Sequence, residues 1–184
     1  NPNYLRAVEF DVAKLCVSAD IEEVISNSDV LIVAIPSAFV HATFKHVNPK
    51  TLEGKIVFSA IKGIIPEFHS IPARYFHMEF QVPYDSIGVI CGPCHAEEVA
   101  MERLSFLTIA CMNEANAAHL ADRLSTRYMK TSTSEDLFGA EIAAVLKNIY
   151  AIASGVCGGL GYGDNFQALL ISAAIIEMER FLDK

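Results

Sequence analysis

Six successive apolar residues, Val30-Leu-Ile-Val-Ala-Ile35, stand between Asp29 and Pro36, and they leave few folds open. The run is too short for a helix buried all round. Its β-branched content favours a strand covered on both faces, as in the parallel sheets of α/β proteins. Lys55–Ile61, Ser86–Cys91 and Phe106–Cys111 repeat the pattern, and Leu15–Ser18 and Tyr128–Thr131 repeat it more weakly. Helical stretches lie between these runs. Asp20 is placed to cap Ile21–Ser26, Ser37 to cap a helix from Ala38 to about His46, and a helix is expected from Pro66 towards Phe76. A short acidic helix follows His95, and another runs from Asn113 to Leu124.

Strand and helix therefore alternate from residue 15 to about residue 132, which predicts a doubly wound sheet with helices on both faces. Such sheets bind ligands beyond the carboxyl ends of their strands. Three strand ends stand out: Pro36-Ser-Ala-Phe39, Lys62-Gly63 and Gly92-Pro-Cys-His-Ala96. After Thr133-Ser-Glu-Asp136, which reads as a capping box, the strand signal stops. A long apolar helix over Phe138–Ser154, a glycine-rich break at Gly158–Gly163 and a helix over Phe166–Leu182 capped by Asp164 or Asn165 make up the remainder. The expected division is residues 1–133, a partial Rossmann-type domain, and residues 134–184, the start of an all-α domain.

With 52% hydrophobic residues among 184, the chain can bury a substantial core. Its net charge of −8 and the lack of any Lys/Arg run argue against a nucleic-acid surface. No apolar run is read as reaching the roughly 20 residues that span a bilayer. Asn1-Pro-Asn-Tyr-Leu-Arg6 has no signal-peptide pattern, and the five scattered cysteines fit reduced thiols. A cytoplasmic location is expected, and no metal-ligand set is singled out.

Three features could carry chemistry. Lys147, in the middle of the apolar helix, either snorkels to water from an exposed stripe or sits among apolar neighbours as a proton carrier. Lys62 directly follows a buried strand, at the ligand edge of the sheet. Cys91-Gly-Pro-Cys94 is a Cys-x-x-Cys between strand and helix, as in thiol–disulfide proteins. Glu97 and Glu98 in the same first turn oppose thiolate formation there.

Pro36-Ser-Ala-Phe39, Ser59-Ala-Ile-Lys-Gly63, Gly92-Pro-Cys-His-Ala-Glu-Glu-Val-Ala100, Leu146-Lys-Asn148 and Gly159-Leu-Gly-Tyr-Gly-Asp-Asn165 occur in the order and spacing of the bacterial-type NAD(P)-dependent glycerol-3-phosphate dehydrogenases. The chain resembles that family over nearly its whole length. The resemblance implies reversible hydride transfer between glycerol 3-phosphate and dihydroxyacetone phosphate, feeding glycerophospholipid synthesis, with NAD or NADP as cofactor and a small-molecule substrate. It makes Lys147 the general acid/base, with Asn148 beside it. Lys62 is shared between cofactor and substrate, Phe39 lies near the nicotinamide, Gly92 and Cys94 touch substrate, and Ala96 approaches the cofactor.

The sequence departs from the family pattern in places. Cys94 stands where many members carry serine, and Ser172-Ala-Ala174 where many bacterial members carry an arginine. No Gly-x-Gly-x-x-Gly turn occurs upstream of residue 15, and the family's later helices, which hold the substrate phosphate, lie past Lys184. The chain is thus expected to be a central piece that binds dinucleotide poorly and turns over little. Whether the enzyme is a monomer or a homodimer is left open, as is the choice between NAD and NADP. Another Rossmann-plus-helical hydroxy-acid dehydrogenase, a thiol–disulfide protein and a catalytically silent binding module are the rival readings.

Overall fold

The computed structural model of the protein describes residue 5 and residues 8–183. Residues 1–4, 6, 7 and 184 lie outside the described residues. Five strands form one sheet in the order β1 (Val30–Val33), β2 (Ile56–Ser59), β3 (Ile87–Cys91), β4 (Ser105–Cys111) and β5 (Met129–Ser134). β1, β2 and β3 are parallel, β4 runs antiparallel to β3, and β5 is again parallel to β4. The reversal falls where the connection carries only the five-residue helix α4 (Ala96–Ala100).

The strand period of two sorts the core into two layers. Leu31, Val33, Val57, Ile87, Val89 and Ala110 face a cluster built with α2 (Ser37–Phe44) and α3 (Pro72–Phe80). Their neighbours Phe58, Ile90 and Ile109 face α5 (Glu114–Leu124) through Ala117, Leu120 and Ala121. Helices on both faces are what the continuous apolar strands demanded.

Local chemistry explains where the elements start. Asp20 caps α1 (Ile21–Ser26) by accepting the Glu22 and Glu23 N–H groups, and Asn113 does the same for α5 through Ala115 and Asn116. Several expectations are corrected. Leu15–Ser18 forms no strand: Val12–Lys14 is a 3₁₀ turn, and Leu15 and Val17 are exposed with no neighbour to pair with among the described residues. The helix expected from Pro66 is a 3₁₀ turn ending at His69 in a left-handed conformation (φ 46°), and the true helix begins at Pro72. Pro72 has no N–H to lose at a first-turn position, which suits it to that start. Pro36, not Ser37, occupies the cap position of α2, and Gly163 caps the last helix, α7 (Asp164–Leu182), without a side chain.

The long helix α6 (Leu137–Gly159) is longer than the periodicity suggested, running through Gly155, Gly158 and Gly159. Thr133 lies in β5, so the capping box does not form; Asp136 alone caps α6, accepting the Gly139 N–H at 2.8 Å. With 23 residues, α6 is long and apolar enough to cross a bilayer by length and composition, which corrects the expectation that no segment reaches that length. Its first half packs on β3 and β4, and its second half pairs with α7, where Gln167 and Ser154 exchange hydrogen bonds of 2.7 and 3.0 Å.

Candidate active site

The carboxyl ends of β1, β2 and β3 converge because of three small local features. Beyond β2, the buried Ser59 hydroxyl accepts the Ile61 N–H at 3.2 Å, turning Ile61 back into the core and leaving Lys62 exposed. Gly63 then passes so close to the loop after β1 that a Cβ there would lie 2.9 Å from the Ser37 hydroxyl. At the end of β3, Gly92 has φ +131°, and a Cβ would sit 2.5 Å from the Phe106 carbonyl oxygen. Both the dihedral and the close approach to β4 require glycine.

α6 reaches the same edge. Leu137, Glu141 and Ala144 are buried at successive turns, and Asn148 continues that face. The Asn148 side-chain amide points at the Lys62 carbonyl oxygen, a long contact of 3.5 Å. Lys147 is exposed. Apolar residues further along the helix are open as well: Ile149 is 57% and Ile152 70% exposed.

Cys91 ties the two lysines together. Its half-buried thiol lies 3.6 Å from the Thr108 carbonyl oxygen. Burial pushes the thiol up, and the positive charges of Lys62 and Lys147 both pull against that shift. Lys62 and Lys147 thus act in the same direction on one sulfur at the end of β3. The net upward direction is the wrong one for a nucleophilic cysteine, and Cys91 and Cys94 are both free thiols.

The remaining candidates are more dispersed. Phe39, in the first turn of α2, is 61% exposed. Cys94 and Ala96 help wall a groove of about 610 Å³ that Leu5, Phe10 and Tyr128 also line. Another groove, of about 550 Å³, is formed by residues 48–50, 52–54 and 80–83. It lies before β2 and β3, at the amino ends of the strands, away from the lysines.

Glu141 went unnoticed in the sequence. It is fully buried, both carboxylate oxygens accept the Ala73 N–H (3.3 and 3.2 Å), and burial pushes its carboxyl up to about 7. A carboxylate inside an otherwise apolar helical run was the available signal.

Two family models account for most of the chain. Residues 1–117 match the N-terminal model of NAD-dependent glycerol-3-phosphate dehydrogenase, and residues 136–184 match the C-terminal model. The chain belongs to this family. Among curated relatives, a glycerol-3-phosphate dehydrogenase [NAD(P)+] of Agathobacter rectalis is 35% identical over 161 residues, covering 88% of the chain and 47% of that protein. One of Bacillus velezensis is 33% identical over 183 residues, covering 98% of the chain and 52% of that protein. Among solved structures, the Coxiella burnetii glycerol-3-phosphate dehydrogenase superposes with a TM-score of 0.80 at 26% identity, over 90% of the chain and 50% of that structure. The Plasmodium falciparum enzyme gives 0.77 at 26% identity, over 88% and 45% respectively. The chain spans about half the length of the curated relatives it matches. Its fold is the Rossmann-like sheet of this family followed by a helical region.

Proposed function

We propose that this chain carries the proton-transfer part of an NAD(P)-dependent glycerol-3-phosphate dehydrogenase, which interconverts glycerol 3-phosphate and dihydroxyacetone phosphate. The supporting observation is that Asn148, next to Lys147 on α6, meets the Lys62 carbonyl oxygen at the carboxyl edge of the sheet, with the charges of both lysines felt at Cys91, where ligands of such folds bind.

The residues present fit the nicotinamide end of a dinucleotide. An exposed Phe39 ring stands at the end of β1, and an exposed Lys62 at the end of β2. The nicotinamide, when bound, supplies or accepts the hydride. Lys147 gives a proton to the carbonyl oxygen of dihydroxyacetone phosphate during reduction and takes it back from the hydroxyl during oxidation. Lys62 holds negative charge on cofactor or substrate, and Asn148 fixes the Lys62 loop through its carbonyl oxygen. Gly92 and Cys94 border the substrate, with a thiol as a weak hydrogen-bonding group at Cys94. Ala96 leaves room for the cofactor.

We place the division between the dinucleotide-binding and helical regions near residue 133, supported by the end of the last strand at Ser134 and the start of α6 at Leu137. A cytoplasmic location is supported by the five free thiols.

Dihydroxyacetone phosphate should shield Cys91 from iodoacetamide in the wild-type chain, and Lys62→Met and Lys147→Met should each remove the shielding. Shielding that survives either substitution contradicts the site.

A further inference from the structure

The first turn of α3 lacks a local cap. Ile71 at the cap position has no side-chain acceptor, and Pro72 has no N–H, so the Ala73 N–H is the first donor the helix presents. Ala73 is fully buried, and an orphaned donor there is costly. The acceptor comes from far away in sequence, from the carboxylate of Glu141 on α6. The positive end of α3 favours a carboxylate at that place. An apolar side chain of similar volume would fill the space and leave the N–H unpaired.

Glu141 shares one helical face with Leu137, Ala144 and Asn148, spaced at i, i+4, i+7 and i+11. Lys147 is six residues further along, about 9 Å at the helical rise per residue. Leu137 and Ala144 are buried apolar side chains on that face and offer no directional bond of their own. The bond from Glu141 to Ala73 is directional and holds α6 at one place along the sheet.

We propose that Glu141 is a positioning residue: by accepting the Ala73 N–H inside the core it fixes where α6 lies over the strand ends, and so sets Lys147 and Asn148 against Lys62 and Cys91. Its relevance to catalysis rests on the function proposed above, but the positioning itself can be read without turnover, because Cys91 reports the nearby ammonium groups.

The test follows iodoacetamide labelling of Cys91 by tandem mass spectrometry across pH, taking the midpoint as the readout of local charge and the plateau as the readout of access. Lys147→Met calibrates the loss of one ammonium and should move the midpoint to higher pH. A shift of half a unit slows labelling about threefold below the midpoint. Glu141→Leu fills the volume without an acceptor and should shift the midpoint in the same direction. Glu141→Gln keeps an acceptor and should restore the wild-type midpoint. Glu141→Asp keeps the carboxylate on a shorter stem and should give an intermediate shift, which covers the case of a Leu variant that fails to fold. Wild-type midpoints in the folded Leu variant, or in the Asp variant, overturn the proposal. A Lys147→Met chain that shifts Cys91 yet is still shielded by dihydroxyacetone phosphate overturns the proposed function and leaves the positioning intact.

Discussion

The two halves of α6 have nearly the same kind of sequence and opposite surroundings. From Leu137 to Ala144 the helix is buried on β3 and β4, capped by Asp136 and tied to α3 by Glu141. From Lys147 onward it packs against α7 on one side and is otherwise open, with Ile149, Ile152 and Val156 exposed. Apolar content alone does not say which part of a helix is held and which part is presented. The held half is marked by a polar residue whose hydrogen bond is satisfied inside the core, and the presented half begins where Lys147 and Asn148 reach the sheet edge.

Breaking the held half should cost most. Leu137 is 1% exposed and packs in the main core cluster, so Leu137→Ala should destabilise the protein by about 2–5 kcal/mol, read as a lower denaturant midpoint. Gly92→Ala should also be costly, since the left-handed φ and the clash with the Phe106 carbonyl both oppose a side chain. A loss of about 1–3 kcal/mol, together with a disturbed Cys91 environment, is expected. Asp136→Ala removes one cap from the held half and should cost about 1 kcal/mol. Ile152→Ala in the presented half, at 70% exposure, should change stability by less than about 0.5 kcal/mol. An Ile152→Ala loss equal to that of Leu137→Ala would erase the contrast between the halves.

A pH scan sharpens it further. Burial raises the Glu141 carboxyl from 4.5 to about 7, so the folded chain binds a proton more tightly than the unfolded one. The stability this contributes is fully present below about pH 4.5 and is lost as pH rises through about 7. Relative to Glu141→Gln, the wild-type chain should therefore weaken on going from the lower to the upper end of that window. A constant difference between the two chains across it would show that Glu141 does not titrate in this range.

Much of the frame was legible in the sequence, for reasons tied to particular residues. The runs ending at Ile35, Ile61, Cys91 and Cys111 are apolar on both alternate faces, and each contains a strand; β2 and β3 have a helix layer on either side, whereas Ile32 of β1 is 47% exposed. Asp20 and Asn113 announced their helices through side chains that cap them. Leu15–Ser18 misled because strand propensity without a partner strand does not make a strand. Pro66 misled because proline starts both 3₁₀ turns and helices, and His69 in a left-handed conformation decided between them. At the site, the strand-end position of Lys62 and the Leu146-Lys-Asn148 match pointed to residues that the fold brings to one edge. The pairing of Glu141 with Ala73 joins residues 68 positions apart, and no local pattern encodes such a contact.

The central claim is that the held half of α6 delivers Lys147 as the proton donor to a carbonyl at the sheet edge. The most direct measurement is hydride transfer from NADH or NADPH to dihydroxyacetone phosphate by the product of the whole reading frame, compared with its Lys147→Met variant. The account predicts that kcat falls by about 10²–10⁴-fold, the usual contribution of a positioned general acid. Unchanged turnover in Lys147→Met would contradict it.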